Sequence, residues 1–339
     1  MAWIVFFPSL YGKAVPGLCF LSLSLISVKR RTSYPVMMEQ IDKKPNDHPP
    51  DGSKKKSPGK RGRPQGSKNR NRRAVELSPA LRFVQETITR FLQLIGAHVK
   101  VMYFVYDGAF GNNDALQMVK QTGLHLISKL RHDSALYLPY DGPYSGRGKR
   151  KKYSKKLDYR DLPAEYLQSS SLEDGIQTKI YQMKVWHKTC ADLLNVVVMV
   201  KTNLKTQAMA HVVLFSSDLE LRYDQLIDYY HLRFQIEFNF RDAKQYWGLE
   251  DFMTVNQTPV YNSANLAMFM INLSHALIRP IRTQWPECSV NDLKAWFRGR
   301  KYVVETLKLL PEMPEPIFID QVIAQVAQLG RVNHTVTPV

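Results

Sequence analysis

YHLRFQIEFNFRDAK, residues 230–244, decides how the rest of the chain is read. Apolar Leu232, Phe234, Ile236, Phe238 and Phe240 alternate with charged and polar residues, and neither Gly nor Pro interrupts them. One long helix, free of breakers, is expected over about 223–246, and these apolar side chains require it to be substantially buried. Counting from Tyr230, Arg233, Glu237 and Lys244 follow at offsets of 3, 7 and 14. At about 100° per residue these offsets fall within an arc of about 60°, so an unbroken helix carries all four on one face. Asp228 and Asp242 project more than about 100° away from it. Arg233 and Glu237, four apart, suit an internal salt-bridge ladder. A binding stripe is the alternative, because polar groups on a buried helix require partners.

Upstream, the elements alternate. Residues 78–97 read as an amphipathic helix with Ser78 as N-cap, Pro79 in the first turn and Gly96 closing it. Residues 99–106 (VKVMYFVY) read as a buried strand that delivers Asp107 to its end, with Gly108 freeing the backbone. A helix over 113–122 and a strand over 123–130 follow, an order that implies parallel pairing and an α/β core. The carboxyl ends of strands in such sheets are where sites form, although Asp-Gly is also an ordinary turn. Residues 131–170 are polar, Tyr-rich and basic. Strands are expected over 177–188, 194–202 and 209–216, and helices over 263–283, 290–309 and 317–328. Near the start, 14–28 and 32–41 read as extended segments. The run 14–28 is short for a membrane helix and lacks a cleavage site, so a buried strand is expected in place of a targeting segment.

The 339 residues contain 47 Lys plus Arg against 30 Asp plus Glu, a formal charge of +17. A hydrophobic fraction of 44% excludes a wholly disordered chain, and the length suits one large or two medium domains. The charge is concentrated in two stretches. Residues 51–75 carry a net +9, and residues 147–156 carry a net +7 with no acid. The remainder is nearly neutral, so a polyanionic partner is indicated. Residues 43–74 lack apolar side chains and read as a disordered arm. Within it, Lys60 and Arg61-Gly62-Arg63-Pro64 resemble an AT-hook core that enters the A·T minor groove, a solvated basic loop being the alternative. Arg147, Lys149, Arg150, Lys151 and Lys152 form the second arm, suited to phosphate contact without sequence readout. Cys19, Cys190 and Cys288 make neither a disulfide framework nor a metal knuckle, which points to a reducing cytoplasm. His187 and Cys190 read as structural, since no second ligand pair accompanies them.

The pattern Tyr-x2-Arg-x3-Glu-x6-Lys in YHLRFQIEFNFRDAK resembles the signature helix of the bacterial DDE transposases of the insertion-sequence-four family. VYDGAFGNNDAL (105–116) resembles that family's second catalytic-Asp strand. The resemblance implies an α/β, RNase H-like core interrupted by a β-rich insertion, with a helical C-terminal part. It divides the chain into N-terminal core strands (1–42), a basic arm (43–76), core with Asp107 (77–130), a β-rich insertion (131–206), core completion with the Glu237 helix (207–260) and C-terminal helices (261–339). Asp107 and Glu237 would be catalytic and bind Mg²⁺ or Mn²⁺, and Tyr230, Arg233 and Lys244 would grip a DNA phosphate. The implied activity is hydrolysis of a phosphodiester at transposon ends followed by strand transfer. The implied partners are double-stranded DNA (terminal inverted repeats and target) and a second copy of the chain, with no membrane. A non-catalytic DNA-binding remnant and an RNase H-like nuclease are the alternatives.

The resemblance also implies a third carboxylate, an Asp on a core strand ahead of FFPSLYGKAVPGLCFLSLSLISV (6–28). Residues 1–41 contain only Glu39 as an acid, late in the second extended segment, and Asp42 follows immediately after it, so neither takes that position. The expectation is therefore a truncated reading frame, or a mis-called start, whose product is inactive or impaired in metal-dependent cleavage.

Overall fold

The computed structural model describes residues 4–6, 15–41, 71–108, 111–144, 146–312 and 314–333. The AT-hook-like Arg61, Gly62, Arg63 and Pro64, with most of the first basic arm, lie outside the described residues. Two compact units are present, one built from residues 1–47 and 235–339 and one from 48–234.

The 48–234 unit is organised by an eight-stranded mixed sheet. Its strands are β5 (Tyr103–Val105), β6 (His125–Leu130), β7 (Leu136–Pro139), β8 (Tyr153–Lys156), β9 (Leu167–Glu173), β10 (Ile176–His187), β11 (Leu193–Asn203) and β12 (Met209–Ser216). The order is β5-β6-β12-β11-β10-β7-β8, with β9 also paired to β10. β5 and β6 are parallel and joined through helix α2 (Asn113–Gln121), as the alternating pattern requires. The other pairings are antiparallel. Helix α1 (Pro79–Ile95) starts where predicted, with Leu81 N–H donating to the Ser78 hydroxyl and Gly96 as C-cap. Helix α3 (Tyr223–Leu232) lays Leu226 on a core of Ile127, Val197, Leu214 and Leu221.

One expectation changes in this unit. The predicted strand 99–106 shrinks to three residues. Met102 and Val99 are exposed, so part of the apolar run is not buried, and among the described residues β5 pairs only with β6. The strands of the expected β-rich insertion (131–206) share one continuous sheet with β5, β6 and β12.

In the other unit, β1 (Ile4–Phe6) and β2 (Val15–Gly17) pair antiparallel. β3 (Phe20–Ser27) and β4 (Thr32–Gln40) make a hairpin turning through Arg31 at φ 51°. β3 is half-buried along its length, short of the full burial expected, because its sheet has only two strands. Helices α4 (Gln235–Trp247), α5 (Gln257–Ile281), α6 (Val290–Leu307) and α7 (Pro316–Leu329) complete the unit. Met38 of β4 joins Ala243, Ala264, Ala267, Met268 and Ile271 in a core where the small alanines admit close approach. Asparagines fasten hairpin to helices. Asn239 Nδ2 donates to the Ser33 hydroxyl at 2.8 Å, Asn265 Nδ2 to the Met38 carbonyl at 3.0 Å, and Asn272 Nδ2 to the Pro35 carbonyl at 2.6 Å. In α6 the buried Asp292 completes a capping box with Ser289 and accepts backbone N–H groups of Val332 and Asn333, pinning the end of the chain beyond α7. No helix among the described residues is long and apolar enough to cross a membrane.

The single helix expected over 223–246 is two helices. Arg233 N–H bonds to the Tyr230 carbonyl and Phe234 N–H to the His231 carbonyl, so the ladder tightens to i→i−3 for one turn. No Gly or Pro marks the break. α3 packs on the sheet of one unit and α4 on the hairpin of the other, each following its own core. Tyr230 and Arg233 therefore belong to the end of α3, and Glu237 and Lys244 to α4.

Candidate active site

β5 delivers Asp107 to the carboxyl end of the one parallel pair in the sheet. The loop after it is held against β6. The Ser128 hydroxyl donates to the Asp107 carbonyl at 3.0 Å, and Gly111 N–H bonds to the Gly108 carbonyl at 3.2 Å. Gly111 is sterically required there, and Gly108 is tightly packed. A Cβ on Gly108 would meet Lys129 Cβ at 3.3 Å, and one on Gly111 would overlap the Lys129 carbonyl. The loop thus leaves the Asp107 side chain exposed, with Oδ1 accepting the Gly108 N–H at 2.7 Å.

Tyr230 and Arg233 come from the last turn of α3 and its C-cap. The Arg233 guanidinium carbon stands 5.6 Å from the Tyr230 ring centroid. Burial raises the Tyr230 pKa, the Arg233 charge lowers it, and the Asp107 carboxylate raises it again. Asp107, Tyr230 and Arg233 are therefore electrostatic neighbours. The net upward shift keeps the Tyr230 hydroxyl protonated, hence a hydrogen-bond donor, throughout the neutral range.

Glu237 and Lys244 belong to α4 in the other unit, seven residues apart and so on one face, both exposed. Lys244 Nζ pairs with Glu250 at 2.5 Å. That exposed pair contributes little to stability and gives way at small cost to a phosphate.

Oxygen-only donors such as Asp107 and Glu237 suit a hard cation. Mg²⁺ is commonly held by one or two carboxylates plus water and substrate phosphates. The exposed Asp107 carboxylate fits that donor chemistry. Among the described residues, no three His, Cys, Asp or Glu side chains form a group that could hold a metal ion.

The second basic arm is exposed at Arg147, Lys149, Arg150 and Lys151. Lys152 instead lies over the Trp186 ring, 3.3 Å from its centroid. His187 Nδ1 engages the Thr189 hydroxyl at 2.7 Å and the Cys190 sulfur at 3.8 Å, a local turn. Burial lifts the Cys190 thiol to about 11, so it is not a thiolate near neutrality.

Two polar clusters escaped the sequence reading. Asn195 and Gln182 tie β10 and β11 to the residues leading into α3. Asp192, in the β10–β11 turn, accepts from Arg73 and Lys120. Asn195 could have been suspected as the one polar residue inside LLNVVVMV; Asp192 had no local signal. Burial pushes the Asp192 carboxyl up, but hydrogen bonds from Lys120, Gln117 and Arg73 outweigh it and hold the pKa at about 2. Its folded pKa lies below the ordinary value of about 3.9, so this cluster stabilises the fold fully above about pH 4. That contribution is lost as pH falls through about 2. Asp192→Asn should flatten the acid limb of a chemical-denaturation series over that window; an unchanged limb contradicts the assignment.

A family model described as DDE superfamily endonuclease matches residues 5–192. The matched stretch contains Asp107 and ends before α3. No curated protein matches the chain.

Proposed function

The chain belongs to the DDE superfamily endonucleases, a family whose substrate is DNA, and from that premise we propose that it is a transposase of the insertion-sequence-four type. In this proposal it hydrolyses a phosphodiester at the ends of a mobile element, and the freed 3′ hydroxyl then attacks target DNA. One observation carries the reading. An exposed carboxylate, Asp107, closes the parallel strand of an α/β sheet beside a half-buried tyrosine and arginine from the signature segment.

Asp107 and Glu237 are the proposed catalytic carboxylates and ligands of Mg²⁺ or Mn²⁺. Divalent cations so held would stabilise the attacking and leaving oxygens at the phosphate. Arg233 supplies a planar fork to the phosphate beside the scissile bond, Tyr230 donates from its protonated hydroxyl, and Lys244 adds a point charge. The basic arms hold duplex DNA, and two copies of the chain pair two ends. With two proposed metal-binding carboxylates against the family's three, the 339-residue polypeptide by itself is proposed to be an impaired form.

The test separates binding from turnover. Mg²⁺ or Mn²⁺ should raise the affinity for duplex DNA about tenfold, reversibly with chelator, while nicking of supercoiled plasmid stays at background. Duplex affinity indifferent to metal would sink the active-site proposal. Robust nicking that disappears in Glu237→Gln would overturn only the impaired-form part.

A further inference from the structure

Arg72 and Arg73, the last two cations of the first basic stretch, and Lys151 and Lys152 of the second make their contacts on the sheet of the 48–234 unit. From the first, the Arg72 guanidinium donates to the Lys188 carbonyl, and the Arg72 carbonyl accepts from Asn113 Nδ2 at 2.9 Å. Arg73 donates through Nε and a terminal nitrogen to Asp192 Oδ1 at 3.2 and 3.0 Å. The other oxygen, Oδ2, takes Lys120 at 2.8 Å and Gln117 at 3.0 Å. Asp192 and Asn113 therefore fasten the root of the first stretch to α2 and the β10–β11 turn. From the second stretch, Lys152 covers Trp186, and Lys151 stands 4.6 Å from the Tyr140 ring centroid. Lys188 stands 4.8 Å from the ring of Tyr137, the register partner of Trp186.

Cations of both stretches act on one another. The Lys152 pKa is lowered first by burial and then by Arg72, Lys149 and Arg73, with Asp192 opposing. Gathering like charges opposes folding, and a polyanion relieves it. The aromatic rings on this face are capped by lysines, so they do not offer open platforms for unpaired bases. Backbone contact with a duplex fits better than base stacking with a single strand.

We propose that Arg72 and Arg73, with Lys151, Lys152 and Lys188, form one composite surface for the phosphate backbone of duplex DNA, with Asp192 as the positioning residue that fixes Arg73 to α2 and the β10–β11 turn. This rests on the DNA-acting reading above and adds where, and by what internal fastening, the duplex is held.

The experiment uses the full chain, a labelled duplex of about 30 base pairs of arbitrary sequence and excess chelator, with anisotropy read between about 50 and 200 mM salt. Asp192→Asn raises the net charge by one, so simple additive attraction makes binding tighter. The composite surface makes it weaker, by about five- to tenfold, at unchanged circular dichroism. Arg72→Gln and Lys152→Gln should each weaken binding about three- to tenfold and reduce the salt slope by about one. Combined, they should lose less than the product of the single effects, because the surface acts as a unit.

Binding by Asp192→Asn as tight as the parent's, or strictly multiplicative losses in the Arg72/Lys152 pair, overturns the proposal. The pair decides the matter if Asp192→Asn does not fold. Equal or tighter binding of single-stranded DNA or RNA of the same length overturns the duplex assignment. Chelator removes metal and cleavage from the measurement. An Asp107→Asn background should give the same result, so failure of the catalytic reading shows up separately.

Discussion

Asp107→Asn is expected to abolish the gain in duplex-DNA affinity conferred by Mg²⁺ or Mn²⁺. The substitution is nearly isosteric, and an Asn oxygen can still accept the Gly108 N–H that Oδ1 accepts now. The main-chain contacts that shape the loop, from Ser128 to the Asp107 carbonyl and from Gly111 to Gly108, involve no carboxylate. What disappears is the anionic oxygen a hard cation requires. Losing even an outer partner of a metal site weakens binding about 10–100-fold, so losing a proposed direct ligand should cost at least about 100-fold in metal affinity. Metal-free binding should change by less than about twofold, because one exposed carboxylate adds little to a surface dominated by arginine and lysine. A second readout is independent of metal. The Asp107 charge helps hold the Tyr230 pKa up, so the variant's Tyr230 should ionise at lower pH than the parent's in an ultraviolet titration. Asp133→Asn, at an exposed acid paired with Arg131, serves as the control and should retain the metal response. An Asp107→Asn protein that keeps its metal response would remove Asp107 from the proposed active site.

Asn195→Leu is expected to destabilise the 48–234 unit by about 2–5 kcal/mol in urea unfolding. Asn195, the third residue of β11, is 1% exposed. Its Nδ2 donates to the Leu221 and Asp218 carbonyls at 2.7 and 3.0 Å, and its Oδ1 accepts from Gln182 at 2.9 Å. Gln182 in turn accepts the Tyr223 N–H at 3.0 Å, the first amide of α3, whose N-cap Arg222 supplies no side-chain hydrogen bond. A strand amide therefore does the work that Ser or Asp does at most helix starts. Leucine matches the volume but takes a donor from the Asp218 and Leu221 carbonyls and the acceptor from Gln182, leaving Leu221 with Gln182 Nε2 at 2.8 Å, and each buried polar group left unpaired costs about 1–3 kcal/mol. Because α3 carries Tyr230 and leads into Arg233, the variant should also blunt the metal-dependent gain in DNA affinity before it unfolds. Lys184→Gln, on a surface ion pair with Glu220 opposite the same stretch of β11, should cost less than about 1 kcal/mol. Equal losses from the two substitutions would show that the buried network is not what holds α3.

Much of this fold was legible because periodicity reports burial. β12 falls on the residues predicted for it, β10 and β11 within a residue or so, and α1 lies between its predicted Ser78 and Gly96 caps. The parallel β5–β6 pair followed from the helix between them. Legibility failed where the decisive partner is remote in sequence. Nothing local in Leu232-Arg233-Phe234 announces a break; it exists because α3 and α4 answer to different cores. The length of β5 depends on pairing with β6, not on its own apolar run. Around the proposed site, Tyr230 and Arg233 belong to a run of residue types at fixed spacing, and Asp107 stands out as the carboxylate closing an apolar run. The Asp192 fastening was not legible, because Arg73, Gln117 and Lys120 reach it from separate parts of the chain.

The chain order of the two units also sets a clock. Residues 48–234 form one uninterrupted length and can close on themselves as they are made. The β3–β4 hairpin cannot finish its own unit at that stage, because Met38 packs against Ala243, Ala264, Ala267, Met268 and Ile271. At about 5–20 residues per second, synthesis leaves that hairpin waiting roughly ten to fifty seconds for its helices. During that interval its apolar face is open to chaperones or to the hairpin of a neighbouring nascent chain. A ribosome stalled before α5 would therefore release a polypeptide whose middle is folded and whose opening strands are still unclaimed.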